Sequence, residues 1–467
     1  GTFTGHSFTN IEGNGRIRLA GDNFPVGDAT DFITAGQGQG TVEYYGASRE
    51  IATARTFYNC IVNLTTGEIL TQRNNLVLNG DLTVENGIYK INNNTSTTGL
   101  NITVNGDVNV LSTGTINTGT ANARHQFNLY GNFTNSGVAN FTNRTSANYL
   151  VEATDGIVDV NFLNDFKDQT VLCKNTTNFY RVEIDKGVDQ TYILNLISTN
   201  PLYFNLLGYA NENHTINPLT ANNNALGLVN GTVRVANSVI LPSLSEAVNY
   251  CVNSTAQLWV DGGTVSKLNG TALVSYGTVK VSSGTLNVRN NARIILANSG
   301  VLDVEGGIVN TNQIHNASTS TTDAGAYIQS GGTVNVLGST INSDFYLFSL
   351  TQPGSLFNMG GGILKVNTNG TSNGIFINSD ATNINVTGGT VVCNNSDNAY
   401  NFIITSKAPF WDVQFTNSST VSRDVTPGAA VNVGPTNINL VAQSLQVLND
   451  LRIVGQQTGG ASYPSIS

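Results

Sequence analysis

The sequence predicts an all-β chain, built as a right-handed parallel β-helix (a β-solenoid) with about 25 residues per coil. Three observations predict it. Charged residues make up only 11% of the 467, against about 25% in an ordinary globular chain. The polar share falls instead to Asn, Thr, Ser and 49 Gly, which favour short strands and tight turns. Glycine-headed strand signatures recur at nearly constant spacing, and no apolar stretch keeps a helical period.

The first series of signatures is Asn79-Gly-Asp-Leu-Thr-Val84, Asn105-Gly-Asp-Val-Asn-Val110 and Tyr130-Gly-Asn-Phe-Thr-Asn135. Their glycines, Gly80, Gly106 and Gly131, lie 26 and then 25 residues apart. A second series interleaves with it at Gly87, Gly114 and Gly137, with steps of 27 and 23. Later the form becomes Gly-Gly-x-apolar, headed by Gly262, Gly306, Gly331, Gly361 and Gly388. Gly277-Thr-Val-Lys-Val281 and Gly284-Thr-Leu-Asn-Val288 fall in the long first gap of that series.

Side chains alternate along a strand, so each signature puts two apolar residues on one face. Leu82 and Val84 are expected inside, Thr83 outside, with Val108 and Val110 stacked on them one coil later. The glycines are expected to supply positive φ at sharp corners. An amide ladder is expected at Asn79, Asn105 and their neighbours, so that Asn105→Leu would lower thermal stability. Parallel crossovers are overwhelmingly right-handed, which sets the expected hand.

Five sections follow from these patterns. Residues 1–55 form an N-terminal β section, either a cap or the end of an upstream unit. Residues 56–149 are β-helix coils, and residues 150–230 are irregular coils or a small insertion, with an Asn-rich excursion near Tyr209–Asn224. Residues 231–400 are Gly-Gly-rich coils. Residues 401–467 begin a further repeat unit, because Phe410-Trp-Asp-Val-Gln-Phe415 and Leu445–Ile453 echo Phe57–Leu64 and Leu76–Val84. No initiator Met or signal peptide stands at Gly1, as expected of a mature or internal fragment.

The segments Gly13-Asn-Gly-Arg-Ile-Arg-Leu19, Phe24-Pro25, Gly40-Thr-Val-Glu-Tyr-Tyr-Gly46, Tyr58-Asn59 and Asn79–Val84 carry a resemblance. The layout resembles the large cell-surface proteins of Bacteroidota exported by the type 9 secretion system, some of them gliding adhesins. It covers roughly the first 140 residues well and the closing 60 loosely. The family's C-terminal sorting domain has no counterpart in the sequence. The resemblance implies an extracellular, outer-membrane-associated location. Its implied partners are the secretion machinery during export, and surface polysaccharide or other cell-surface proteins.

Charge and chemistry narrow the alternatives. The net charge is −9 with no basic cluster, which argues against nucleic acid as a partner. No run approaches the roughly 18 apolar residues of a membrane span, so no membrane insertion of this segment is expected. Cys60, Cys173, Cys251 and Cys393 lack metal-ligand spacing and read as small buried residues, with a disulfide left open. The carboxylate pairs Asp155/Asp159, Asp165/Asp168 and Glu183/Asp185 read as solvated surface groups rather than a catalytic pair. His6, His125, His214 and His315 are isolated. Asp22, Asp28 and Asp31 read as a polar turn before a Ca²⁺ site. Tyr44, Tyr45, Trp259 and Trp411 are sugar-stacking candidates if they face outward.

No catalytic, cofactor or metal residue is assigned, and no cofactor is expected. The function expected is a secreted structural or adhesive segment, a stiff stalk or contact surface in gliding or attachment. The alternative is a carbohydrate-active β-helix enzyme or a glycan-binding module. The enzyme is the weaker of these, because the polygalacturonase signatures are absent and fold alone does not establish activity.

Overall fold

Short runs of alternating apolar residues behind glycine corners favour strands over helices, and strands are what form. A computed structural model of the chain describes residues 8–34, 38–91, 98–148, 151–208, 225–241, 243–245, 248–317, 323–338, 346–370, 373–396, 399–418, 424–427, 431–433, 438–440, 444–457, 461–462 and 465–466. The protein is all-β, its helical content among the described residues being one turn at Thr30–Ile33 and one 3₁₀ turn at Ala381–Asn383. Its long sheets are almost wholly parallel. The chain divides into two compact units, the first holding the described residues up to 208 with 225–240, the second those from 241 onward. The Asn-rich excursion near 209–224, His6 and His214 lie outside the described residues.

In the first unit the apolar positions stack into columns. One column runs Cys60, Leu82, Val108, Phe133, Val171, Leu196, Val235, each residue paired with the next in parallel register. On a second sheet Ile102, Phe127, Val160, Val182 and Leu226 do the same. Leu82 and Val84 point inward beneath Val108 and Val110, as their spacing predicts, and all four are buried. The rings of Phe127, Phe133, Phe141 and Phe179 interlock at centroid distances of 5.5 to 5.9 Å. Residues 157–206 supply strands to both sheets in the same parallel pairing.

The second unit carries three such columns. Tyr250, Leu273, Ile294, Ile314, Phe348, Ile375 and Ile404 form one. Leu258, Val279, Leu302, Tyr327 and Phe357 form another. The third holds the apolar residue of every Gly-Gly signature: Val265, Leu286, Val309, Val334, Leu364, Val391, then Val413.

The glycines divide: Gly87, Gly262 and Gly284 take the positive φ expected of a corner, at +80°, +94° and +78°, and others do not. Gly80, Gly106 and Gly131 do not adopt positive φ. At Gly106 and Gly131 two backbones nearly touch, a Cβ on Gly131 lying 2.0 Å from the Gly106 carbonyl oxygen, while a Cβ on Gly80 would meet the side chains of Asn59 and Tyr58. In the Gly331-Gly332 signature a Cβ on Gly331 would meet Glu305 O at 2.3 Å, and Gly332 both turns the corner at φ +64° and leaves no room, a Cβ there lying 2.5 Å from Gly306 O.

The ladder also forms at another position. Asn79 Nδ2 donates to the Ile33 carbonyl at 2.8 Å rather than to another side-chain amide, and Asn105 is an exposed residue. The third residue of each signature does the work. Asp81 N–H donates to Asn59 Oδ1 (2.9 Å), Asp107 N–H to Asp81 Oδ1 (2.7 Å), Asn132 N–H to Asp107 Oδ1 (2.7 Å) and Thr170 N–H to Asn132 Oδ1 (2.9 Å). Each side chain thereby caps the corner of the next tier. Amide ladders do run along the outward rows, at Asn101–Asn128–Asn161 and at Asn287–Asn310–Asn335. Asp107→Ala strips the acceptor from the Asn132 backbone and side-chain donors, and is expected to cost about 1–3 kcal/mol in a denaturant titration. Asn105→Leu is expected to be near neutral.

All four cysteines are free thiols and buried. Burial pushes the thiols up to about 12 in Cys60 and Cys173 and about 11 in Cys251, and raises Cys393 as well.

The sequence echo has a geometric counterpart. Cys60 pairs with Leu82 and Val62 with Val84; Val413 pairs with Leu451 and Phe415 with Ile453. The corner bond recurs too, since Asp450 N–H donates to Asp412 Oδ1 at 3.2 Å, as Asp81 N–H does to Asn59.

Candidate functional site

Ionisable groups are scarce in this chain, so a place where several converge is the natural site to build. Strands Arg124–Leu129, Ile157–Phe162 and Arg181–Asp185 lie side by side in the first unit. Their alternation sends His125, Phe127, Val158, Val160, Val182 and Ile184 to one face. Gln126, Asp159 and Arg181 fall in one row on the other.

Asp159 is fully covered, and its carboxylate is well supplied with donors. Arg124 donates Nε to Oδ2 at 2.6 Å and Nη2 to Oδ1 at 3.2 Å, while Gln126 Nε2 donates to Oδ2 at 3.1 Å. Arg181 Nη1 stands 4.0 Å away and pairs through Nη2 with Glu183. Arg124 reaches Glu152 at 3.0 Å as well. Tyr180 accepts the Ala153 N–H at 3.0 Å, with the guanidinium groups of Arg124 and Arg144 5.9 and 5.4 Å from its ring centre. Beside this cluster lies an open pocket of about 300 Å³, lined by Asn143, Arg144, Glu152, Ala153, Thr154 and Asp155.

Asp159 is therefore not a solvated surface carboxylate, which corrects the reading from sequence. Its neighbour in sequence, Asp155, lines the pocket instead, so the two do not form a pair. A carboxylate holding this many donors from neighbouring strands braces those strands against one another.

The other pairs are turn builders. Asp165 Oδ1 accepts the Gly187 N–H and Asp168 Oδ1 the Ile193 N–H, both at 2.8 Å. Asp185 accepts from Asn230 Nδ2 at 2.7 Å. Asp28 caps Thr30 through its N–H and hydroxyl, and Asp22 accepts the Glu50 N–H at 2.9 Å. Among the described residues no group of three His, Cys, Asp or Glu could hold a metal.

Of the aromatic candidates, Tyr44 is buried and cannot stack on a sugar. Tyr45 carries the Arg18 guanidinium 4.3 Å from its ring centre. Trp259 lies on an outward row, with Lys280 Nζ 5.3 Å from its ring and Nε1 donating to Ser282 Oγ at 2.7 Å. Trp411 is half-buried.

Sequence reading missed Arg124, Arg181 and Lys186. Lys186 is wholly buried, donating to Asn164 O, Lys167 O and Gln169 Oε1 at 2.7 to 3.0 Å, and burial pulls its ammonium down to about 8. The available signal was a charged residue inside an apolar strand pattern, as in Arg181-Val-Glu-Ile184.

His125 and His315 are both buried. His125 Nδ1 accepts the Leu100 N–H at 2.9 Å, and burial lowers its pKa. Burial brings His315 down to about 4 from 6.5, against the pull of the Asn316 carbonyl. The native ring stays neutral where the unfolded ring protonates. Stability is therefore lost as pH falls from 6.5 through 4, by about 3 kcal/mol for this group. Equilibrium unfolding from pH 7 to 4 checks it: a variant His315→Gln should lose less stability over that window than wild type.

Comparison with protein-family models, curated proteins and solved structures finds no match to this chain.

Proposed function

We propose that both units are right-handed parallel β-solenoids. We propose further that the chain is a secreted cell-surface segment acting as a stiff stalk or contact surface, exported by the type 9 route and serving gliding or attachment. One observation carries the reading: core columns continue through tier after tier, while the outward rows spend their polar groups on one another. The Asn287–Asn310–Asn335 amides and the Asp81–Asp107–Asn132 corners are examples. Such a surface resists unfolding and leaves few unpaired groups. The right hand rests on the general rule for parallel crossovers. The partners proposed are surface polysaccharide or other cell-surface proteins.

A second reading, a carbohydrate-active enzyme, is favoured by one feature: Glu152 and Asp155 line the same open pocket. A panel of surface polysaccharides, assayed for retention and for reducing-end release, separates the two. Retention without cleavage is the result expected. Cleavage abolished by Glu152→Gln or Asp155→Asn would replace the stalk with the enzyme, and neither retention nor cleavage would sink the adhesive half of the proposal.

A further inference from the structure

Lys186 and Gln169 meet head to head inside the first unit. Gln169 opens strand Gln169–Cys173, and Lys186 follows strand Arg181–Asp185 one tier later. Both are buried, with 1% and 0% of their surface exposed. Lys186 Nζ lies 2.7 Å from Gln169 Oε1, and it also donates to Asn164 O at 3.0 Å and Lys167 O at 2.9 Å. Asp165, Asp168 and Lys167 of the facing turn are the charges nearest to it. Neither carboxylate is turned to the ammonium, since Asp165 accepts the Gly187 N–H and Asp168 the Ile193 N–H. A cation held out of water against neutral acceptors is costly.

The same cost makes it reactive. Burial brings the ammonium down to about 8, and a desolvated lysine amine is a nucleophile. Its electrophile is Gln169 Cδ, bonded to the oxygen that Nζ already touches. That side chain is fixed at both ends. Nε2 donates to Leu129 O at 3.1 Å and to Gly131 O at 2.6 Å, while Oε1 also accepts the Asn164 N–H at 3.4 Å.

We propose that Lys186 and Gln169 join spontaneously in an isopeptide bond between consecutive tiers. Nζ gives one proton to solvent and attacks Cδ. The Cδ–Nε2 bond then breaks, and Nε2 leaves as ammonia, taking the second proton that Nζ gives up. No oxidant, reductant or further reactant is consumed. The Asn164 N–H faces the oxygen on which negative charge gathers, and the two carbonyls face the nitrogen on which positive charge gathers. Both groups are held in place beforehand, so little freedom is lost on the way. The product carries no charge in the interior, and losing that charge drives the reaction.

Intact-mass spectrometry of the purified chain reads it, before and after prolonged incubation at alkaline pH. The wild type is expected to weigh one ammonia less than its sequence. Trypsin should leave the bond after Lys186 uncut and release one branched peptide joining the segments of Gln169 and Lys186. Lys186→Arg, which keeps a cation, and Gln169→Met, which keeps the length, should each weigh what its sequence predicts, with circular dichroism checking the fold. An imide formed at an Asn-Gly step also loses ammonia, but it would persist in both variants and give no branched peptide. Full sequence mass in the wild type after incubation, or a deficit that survives Lys186→Arg, overturns the proposal.

Discussion

Replacing Asp159 by alanine is expected to cost the protein about 2–3 kcal/mol, because Gln126 and the partly exposed Arg124 lose their acceptor and the buried Arg181 keeps only Glu183. Arg124 and Arg181 both face the Asp159 carboxylate, and Arg181 is itself buried. The pair could be neutral in net worth against apolar residues of the same size; breaking it from one side is what costs. Gln126 Nε2 would also lose its acceptor. Guanidinium titration of wild type and Asp159→Ala reads the difference. A midpoint unchanged within error would mean that water reaches the two arginines and that the brace does not exist. Adding Arg124→Met to the alanine variant should recover part of the loss, since the Nε and Nη2 donors that lost their acceptor are then gone.

Gly131→Ala is expected to be of similar or larger effect. Its Cβ would lie 2.0 Å from the Gly106 oxygen and 2.3 Å from the Gly106 carbon. Both are backbone atoms in a paired tier, so neither can swing aside as a side chain would. Relief requires the tiers to part, which strains the column of Val108, Phe133 and Val171. We expect a loss of at least about 3 kcal/mol, in the range where overpacking and strain dominate. Gly21→Ala is the matched control, with no atom within 4 Å and no positive φ, and should be neutral. If both variants melted alike, the close approach at Gly131 would not be real.

The columns were legible because period-two alternation and a roughly constant glycine step both survive in the residues themselves. Leu82 over Val108, and the apolar residue of each Gly-Gly signature, could be placed from those two facts. What failed to show was anything set by the backbone's path at a corner. Asn79 and Asn105 look like ladder residues, yet the chain turns so that Asp81 and Asp107 face the next tier's N–H. The glycines before them, Gly80 and Gly106, answer to close neighbours rather than to φ, at Gly80 the Asn59 and Tyr58 side chains and at Gly106 Asp81 and the Gly80 backbone. Asp159 misled for a related reason: its sequence neighbour Asp155 is remote in chemistry, and its counter-ion Arg124 comes from a strand 35 residues earlier. Lys186 reads as a surface residue until its three acceptors are assembled from 164, 167 and 169.

The cysteines have a practical consequence. A thiol reacts as thiolate and only where a reagent can reach it, and in this protein burial denies both. Alkylation will therefore proceed only through transient opening, at a rate set by how often each region exposes its sulfur. Cys60 and Cys173 lie in the first unit, Cys251 and Cys393 in the second. Mass-resolved labelling of the unaltered protein would time the opening of the two halves separately, with no engineered probe.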